Sequence, residues 1–429
     1  MLRSRWIVAG TVLALGALSA CGDDNSGSTK KGESYTIGVW GPAQIPQGKD
    51  ILDGAALAVA EINKNTDLTG GRTLKIVTCD SVNGASPDKA VACANKLISQ
   101  DKVDALLGGF SSGETVAMLD TVVDGQVPYL SAGAASPDVV KGVTSGGPRK
   151  YIFRIGPISS TSLAADMCLT YVAKLAPATG FTKYGILYED VEFARPLVAF
   201  LKQCLPNPSA ATGGKIPITK GVSVVATEKH LPDATDFSSQ FRALKSAGAQ
   251  FVIEVNSRQE GVALAKQWGT LKPGFALGGI NVAGQANGFF AATGGAAVGE
   301  LNGPAGVVRA AITPKTIPFF DAFKAKYGRD PIYNGTSAYD GVYALAEALK
   351  VAGSSDPDDV VTALEKMDRV GAQGVEKFTA EHDITYGGID PTKGIVPVYY
   401  QFAADGSKKI VFPQSFSGGY AYAKPAGVK

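Results

Sequence analysis

Histidine is nearly absent: His230 and His382, far apart in sequence, are the only two in 429 residues. No C-x-x-C pair occurs, which removes the usual zinc-knuckle and dithiol motifs. A P-loop, an H-E-x-x-H helix and a G-x-G-x-x-G turn opening a helix after a strand are missing too. The chain is therefore not expected to be an enzyme, and no catalytic residue, metal or cofactor is expected. Charge is sparse and balanced, with 41 basic and 39 acidic residues making up 19% of the chain. That gives no basic face for phosphates, so no nucleic-acid partner is expected. After the first twenty residues no apolar run is long enough to cross a bilayer.

What is present begins at the N-terminus. Arg3 and Arg5 precede the apolar run Trp6 to Ala20, which predicts a signal peptide over residues 1–20. The run ends in Leu18-Ser19-Ala20-Cys21, which looks like a bacterial lipobox and makes Cys21 the expected site of lipidation. Two acyl chains would anchor the chain stably, at about 0.8 kcal/mol per buried CH₂. Residues 21–34 then read as a lipidated cysteine and flexible tether. Cleavage removes two basic residues and no acidic ones, leaving 39 of each sign. The expected location is extracytoplasmic, on the outer face of the cell membrane or in the periplasm. Four cysteines remain, an even number that suggests disulfides in an exported chain; their order suggests Cys79–Cys93 and Cys168–Cys204.

Strand-like and helix-like segments alternate along the rest. Tyr35–Trp40, Leu74–Cys79, Val103–Leu107 and Val127–Ser131 read as strands, separated by segments with helical spacing of apolar residues. Ser86-Pro87-Asp88 has the residues of a helix start. The alternation restarts at Tyr151–Ile155 and runs through Tyr184–Tyr188, Val222–Ala226, Phe251–Val255 and Phe275–Gly278. Asp405-Gly406 near the C-terminus signals a hairpin. The fold class expected is α/β, with two doubly wound parallel-sheet lobes. Ligands of such sheets sit beyond the carboxyl ends of the strands.

Several blocks resemble the type I periplasmic binding proteins, specifically the branched-chain amino-acid receptors of ABC transporters. They are Ile37-Gly38-Val39-Trp40-Gly41-Pro42, Asp53-Gly54-Ala55 through Glu61-Ile62-Asn63, Leu107-Gly108-Gly109-Phe110-Ser111-Ser112, Val127-Pro128-Tyr129 through Ser136-Pro137, Tyr151-Ile152-Phe153-Arg154 and Ala338-Tyr339-Asp340. The resemblance covers nearly all of the chain after the tether. It implies three strands crossing between lobes, with residues 35–155 plus 312–372 in lobe 1 and 156–311 plus 373–429 in lobe 2. It also implies a monomeric receptor that hands a small molecule to an ABC transporter permease. A lipid-anchored sensor serving a membrane signalling protein is the alternative.

The resemblance and the residue chemistry together nominate a site. Ser112 stands between a strand end and a helix start, where its hydroxyl either caps the helix or meets a ligand anion. In the family the serine aligned with Ser112 binds the ligand carboxylate, and Ser111 sits beside it. Gly133 and Ala135 align with further contacts, although the family often has threonine where Ala135 stands; Ser136 is adjacent. Phe193 replaces a Tyr-Gly pair of the family. Gln47, Phe110, Tyr188, Asn256, Arg258 and Tyr333 are further cleft candidates. Amino-acid receptors carry a glutamate for the ligand ammonium where this chain reads Gly278-Gly279-Ile280-Asn281-Val282. Asn281 can hydrogen-bond but cannot neutralise, and Glu254 on the neighbouring strand is the candidate substitute. A buried ammonium without an anion is costly. The expected ligand is therefore a small carboxylate- or amide-bearing molecule, with an aromatic body or an amino acid left open.

Overall fold

A computed structural model describes residues 34–305 and 308–428. The expected signal peptide, Cys21 and residues 22–33 of the expected tether lie outside these residues, whereas Ser34 already belongs to the first strand.

The first sheet contains β1 (Ser34–Gly41), β2 (Thr73–Asp80), β3 (Ala105–Gly108), β4 (Tyr129–Ser131) and β5 (Ile152–Arg154), in the order β2-β1-β3-β4-β5 and parallel throughout. Alternate residues face opposite sides, as the two-residue strand period requires. Ile37, Val39 and Leu107 pack into one core with Ile51 and Ala55 of the helix Pro46–Ile62 and Val342 and Leu345 of the helix Tyr333–Ala352. Leu106 and Ile152 point the other way, toward Cys93 of the helix Pro87–Asn95 and Met118 of the helix Ser112–Gly125. Both faces are thereby covered, as a parallel sheet demands.

The second sheet holds β6 (Lys183–Glu189), β7 (Ser223–His230), β8 (Phe251–Asn256), β9 (Ala276–Asn281) and β10 (Leu301–Ala305). The small antiparallel pair β11 (Arg369–Val370) and β12 (Val375–Glu376) stands apart from it. The expected hairpin forms from β13 (Val398–Phe402) and β14 (Lys408–Phe412), which extends the second sheet to the order β14-β13-β10-β9-β8-β6-β7. Its first five strands are parallel, and only the hairpin runs antiparallel. Both expected disulfides are formed, Cys79 with Cys93 and Cys168 with Cys204.

Among the described residues the chain passes between the two large sheets three times, after β5, after β10 and between β11 and β13. Two of these crossings are tied together, because Thr313 and Thr316 donate hydroxyl hydrogen bonds to the carbonyls of Gly371 and Ala372. Asp340 of the helix Tyr333–Ala352 accepts from the backbone N–H of Ala372 and Gln373. One boundary differs from expectation. Residues around 378–384 do not sit on the second sheet: the Phe378 ring packs 4.9 Å from Phe153, and Arg154 N–H donates to the His382 carbonyl at 3.0 Å. Phe378, His382 and Asp383 meet Phe153 and Arg154 of β5, and His382 also bonds Glu365 of the helix Pro357–Glu365, so the segment lies against lobe 1 even though it follows residue 372.

Candidate functional site

A cavity of about 350 Å³ opens between the carboxyl ends of the two sheets. Residues just past β3, β4 and β5 line one side, and residues at or past the ends of β6, β8, β9 and β10 line the other. Most of the wall is apolar, including Phe110, Leu163, Val191, Phe193, Ile280 and Val282.

The polar end is built by the turn after β3. Thr115 N–H donates to the Ser111 carbonyl, the first bond of the helix Ser112–Gly125, so the N–H groups of Ser112, Gly113 and Glu114 have no intrahelical acceptor. They face the cavity at the positive end of a four-turn helix. Ser112 is the first helical residue and not the cap, and Ser111 at the cap position makes no side-chain cap bond. The Ser112 hydroxyl oxygen accepts from Ser136 N–H at 3.1 Å. Among the described residues no acceptor takes the hydrogen of that hydroxyl, and Ser112 lines the cavity. Gly133 is required beside it: a Cβ there would lie 2.4 Å from the Gly109 carbonyl oxygen. The loop carrying Gly133 and Ala135 is held from below by Arg154, which donates to the carbonyls of Ala134 and Ser136 at 3.3 and 2.7 Å.

Of the thirteen expected contacts, Phe110, Ser111, Ser112, Gly133, Ala135, Phe193, Arg258 and Tyr333 line this cavity. The other five do not. Ser136 is buried and caps the short helix Pro137–Val139 by accepting from Asp138 N–H. Tyr188 lies within β6, paired with Lys229 and Val255. Asn256 is buried between His230 and Glu254, at 2.9 and 2.8 Å. Gln47 is buried and donates across the cleft to the Ser257 carbonyl at 2.9 Å. Asn281 is the last residue of β9 and points into lobe 2, where its amide donates to the Gly261 carbonyl and to Glu300 at 3.2 and 3.0 Å. The substitute role imagined for Glu254 fails for the same reason. It is fully buried and interacts with Glu300. Burial pushes both carboxyls above the ordinary range, Glu300 to about 8, so the pair retains a proton at neutral pH.

Arg258 does more than line the wall. Its Nη2 reaches from lobe 2 to the Gly84 carbonyl of lobe 1 at 2.7 Å, and its Nε lies 4.0 Å from Glu189. Glu189 also accepts from the N–H and hydroxyl of Ser257, and Glu260 accepts from Arg258 N–H. With the Gln47 bond, these contacts hold the rims of the cleft together.

Wall residues that sequence reasoning missed include Pro157, Leu163, Asp190, Arg195, Gln285 and Pro304. Pro304 lies within β10, and the others follow a strand end or stand in the first turn of the next helix, but their residue types carry no motif. Asp190 at the mouth is paired with Arg195 and Lys229, each at 2.9 Å. Those cations hold its carboxyl below the usual range, chiefly through the Lys229 hydrogen bond. Glu114 lines the wall with its oxygens already accepting from Ser81 and from Ser86 N–H. One spacing runs against the expectation of no catalytic motif: Gly109-Phe110-Ser111-Ser112-Gly113 matches the G-x-S-x-G of a hydrolase nucleophile turn. Its chemistry needs an imidazole, and both histidines are engaged elsewhere. His230 bonds the Leu231 carbonyl and Asn256, and His382 bonds the Ile152 carbonyl and Glu365.

Residues 36–387 match the family model described as periplasmic binding protein. Among curated proteins, the Leu/Ile/Val-binding protein homolog 8 of Brucella melitensis biotype 1 is 24% identical over 383 residues, covering 86% of this chain and 87% of the relative. Among solved structures, the branched-chain amino acid transporter substrate binding protein LivJ of Streptococcus pneumoniae, in complex with isoleucine, superposes with a TM-score of 0.69 at 20% identity, over 88% of this chain and 99% of that one. An ABC transporter solute binding protein of R. palustris in complex with benzoate gives 0.69 at 18% identity, over 92% and 99%.

Proposed function

We propose that this chain, which belongs to the type I periplasmic binding proteins of the branched-chain amino-acid receptor family, is the lipid-anchored solute receptor of an ABC importer for a carboxylate that lacks an α-ammonium. The observation that carries the reading is where Asn281 points. At the position where amino-acid receptors hold the ammonium, this cavity presents Ile280 and Val282, while the Asn281 amide is spent inside lobe 2. The other carboxylates near the cavity are paired or accept hydrogen bonds already. The opposite end offers a helix N-terminus and a hydroxyl donor to an anion.

An apolar wall between those ends suits an aromatic or branched body. The benzoate bound by the R. palustris protein is a ligand of this chemical type, and a substituted benzoate is the first candidate here. Lobe closure about the three crossing segments would seal it from water and form the face that the permease reads. The lipid on Cys21 would keep a monomeric receptor at the membrane, since among the described residues no helix is long and apolar enough to cross one. A sensor would use the same cleft, but the matched structures named above are transporter components.

A thermal-shift panel of the mature protein tests the ligand class. Benzoates should raise the melting temperature strongly, because a ligand at a hundredfold over its Kd contributes about 2.7 kcal/mol. Leucine, isoleucine and valine should give little shift at the same concentrations. A large shift with any of these three and none with the carboxylates would sink the reading.

A further inference from the structure

We propose that Gln285 is the lobe 2 residue that selects the ligand, by donating its side-chain amide N–H to an acceptor on the end of the molecule opposite the carboxylate. The proposal rests on the carboxylate reading above and adds a second polar group to the ligand. Gln285 lines the cavity and is 6% exposed. Its Oε1 accepts from the backbone N–H of Tyr333, across the cleft, at 3.1 Å. A planar amide whose oxygen is fixed in this way must turn its two N–H bonds elsewhere. No acceptor among the described residues meets that Nε2, and the atom is not fully enclosed; Gln285 stands between the ligand cavity and a second one bounded by Asp330, Tyr400 and Lys408.

The residue stands on a built platform. It closes the short turn Ala283–Gln285, directly after β9. Asn281 Oδ1 accepts from Gly284 N–H at 3.3 Å, and the Tyr400 hydroxyl donates to the Gly284 carbonyl at 2.9 Å. Lys408 Nζ, 5.2 Å from the centre of the Tyr400 ring, donates to the carbonyl of Gln285 itself. Gly284 is forced by this packing, since a Cβ there would come within 2.2 Å of the Asn302 amide. Asn281, which cannot reach the ligand, thus helps to position the residue that can. It is a positioning residue.

Tyr333 sets the distance between the two polar ends. Its backbone N–H holds Gln285 while its hydroxyl donates to the Gly133 carbonyl at 2.9 Å, beside Ser112. A ligand with its carboxylate at Ser112 lies along one tyrosyl side chain and presents its far end to the Gln285 amide. An amide N–H there favours a carbonyl, hydroxyl or second carboxylate oxygen and opposes an ammonium, which brings only donors of its own. The ligand class is a carboxylate on an apolar body that bears a hydrogen-bond acceptor at its distal end.

Calorimetry on the mature protein with 4-acetylbenzoate and the nearly isosteric 4-isopropylbenzoate tests this, read as the ratio of the two affinities. Gln285→Met, which keeps the volume and removes the amide, should shift that ratio against the acetyl compound by about fivefold. Gln285→Glu, which keeps an oxygen for Tyr333 N–H but turns an acceptor to the cavity, should shift it further the same way. Ser112→Ala should weaken both probes alike and leave the ratio unchanged. An unchanged ratio in both Gln285 variants overturns the assignment while the carboxylate reading stands. Failure of both probes to bind the unmutated protein overturns the benzoate reading and the assignment together. Unaltered melting of the ligand-free variants separates either outcome from misfolding.

Discussion

Arg154 grips Asp383 with two parallel hydrogen bonds, Nε to Oδ1 at 2.7 Å and Nη2 to Oδ2 at 2.8 Å, while its third nitrogen holds the loop that carries Gly133 and Ala135. The arginine is fully buried and the aspartate is only one-fifth exposed. A single guanidinium therefore ties a wall of the ligand cavity to the segment that returns from the hinge. Asp383→Asn leaves that buried cation without its anion and should destabilise the protein by roughly 3 kcal/mol in urea titrations. A loss below about 0.5 kcal/mol would mean that solvent already neutralises Arg154.

Arg258 spans the cleft, and its removal should act on closure more than on recognition. Arg258→Ala is expected to weaken every ligand by about tenfold, the worth of one charge-assisted hydrogen bond, without reordering them. Small-angle scattering of the ligand-saturated variant should show a larger radius of gyration than the unmutated protein. A changed order of preference would instead place the guanidinium on the ligand.

Ser112→Ala removes the hydroxyl donor proposed to meet the ligand's carboxylate. Binding of a carboxylate should weaken by roughly 1.5–3 kcal/mol in calorimetry. Unchanged affinity would take Ser112 out of the site and leave the helix N–H groups as the anion's partners.

The buried pair Glu254 and Glu300 predicts a pH dependence of stability. Burial raises Glu300 from the ordinary 4.5 to about 8 in the folded state. Between those values the folded chain binds more protons than the unfolded one, so stability should fall as pH rises through this window and level off above it. Glu300→Gln supplies a permanent neutral partner for Asn281 and Glu254. It should flatten the melting-temperature profile between pH 5 and pH 9 and add on the order of 1–2 kcal/mol at pH 8.5. Parallel profiles for the two proteins would show that the pair does not titrate there.

Ser112 and Gly133 were legible because strand, small residues and helix start follow one another in the chain, and the resemblance falls on the same blocks. Asn281 was not, for a reason that lies in the sheet. Gly278-Gly279 reads as the end of a strand, yet β9 continues to Asn281. The glycines are there because neighbouring strands leave no room: a Cβ at Gly279 would sit 2.1 Å from the Glu254 carbonyl, and one at Gly278 would sit 2.5 Å from that of Leu301. Two further strand residues turn Asn281 inward and move the cavity wall to Ile280, Val282 and Gln285. The Arg258 contact was equally hidden, because Gly84 is 174 residues away. Only the packing of the lobes brings the two together.

The two disulfides stand on opposite sides of the cleft. Cys79 and Cys93 lie 14 residues apart on β2 and the following helix, and Cys168 and Cys204 lie 36 apart on adjacent helices of the other half. Each loop constrains the unfolded chain by an amount on the order of 3 kcal/mol. Among the described residues no disulfide links the two sides of the cleft. A thiol reductant would soften each half from within and leave the segments between the halves mechanically untouched, so the durability given by the cross-links is separated from the opening and closing proposed for the cleft.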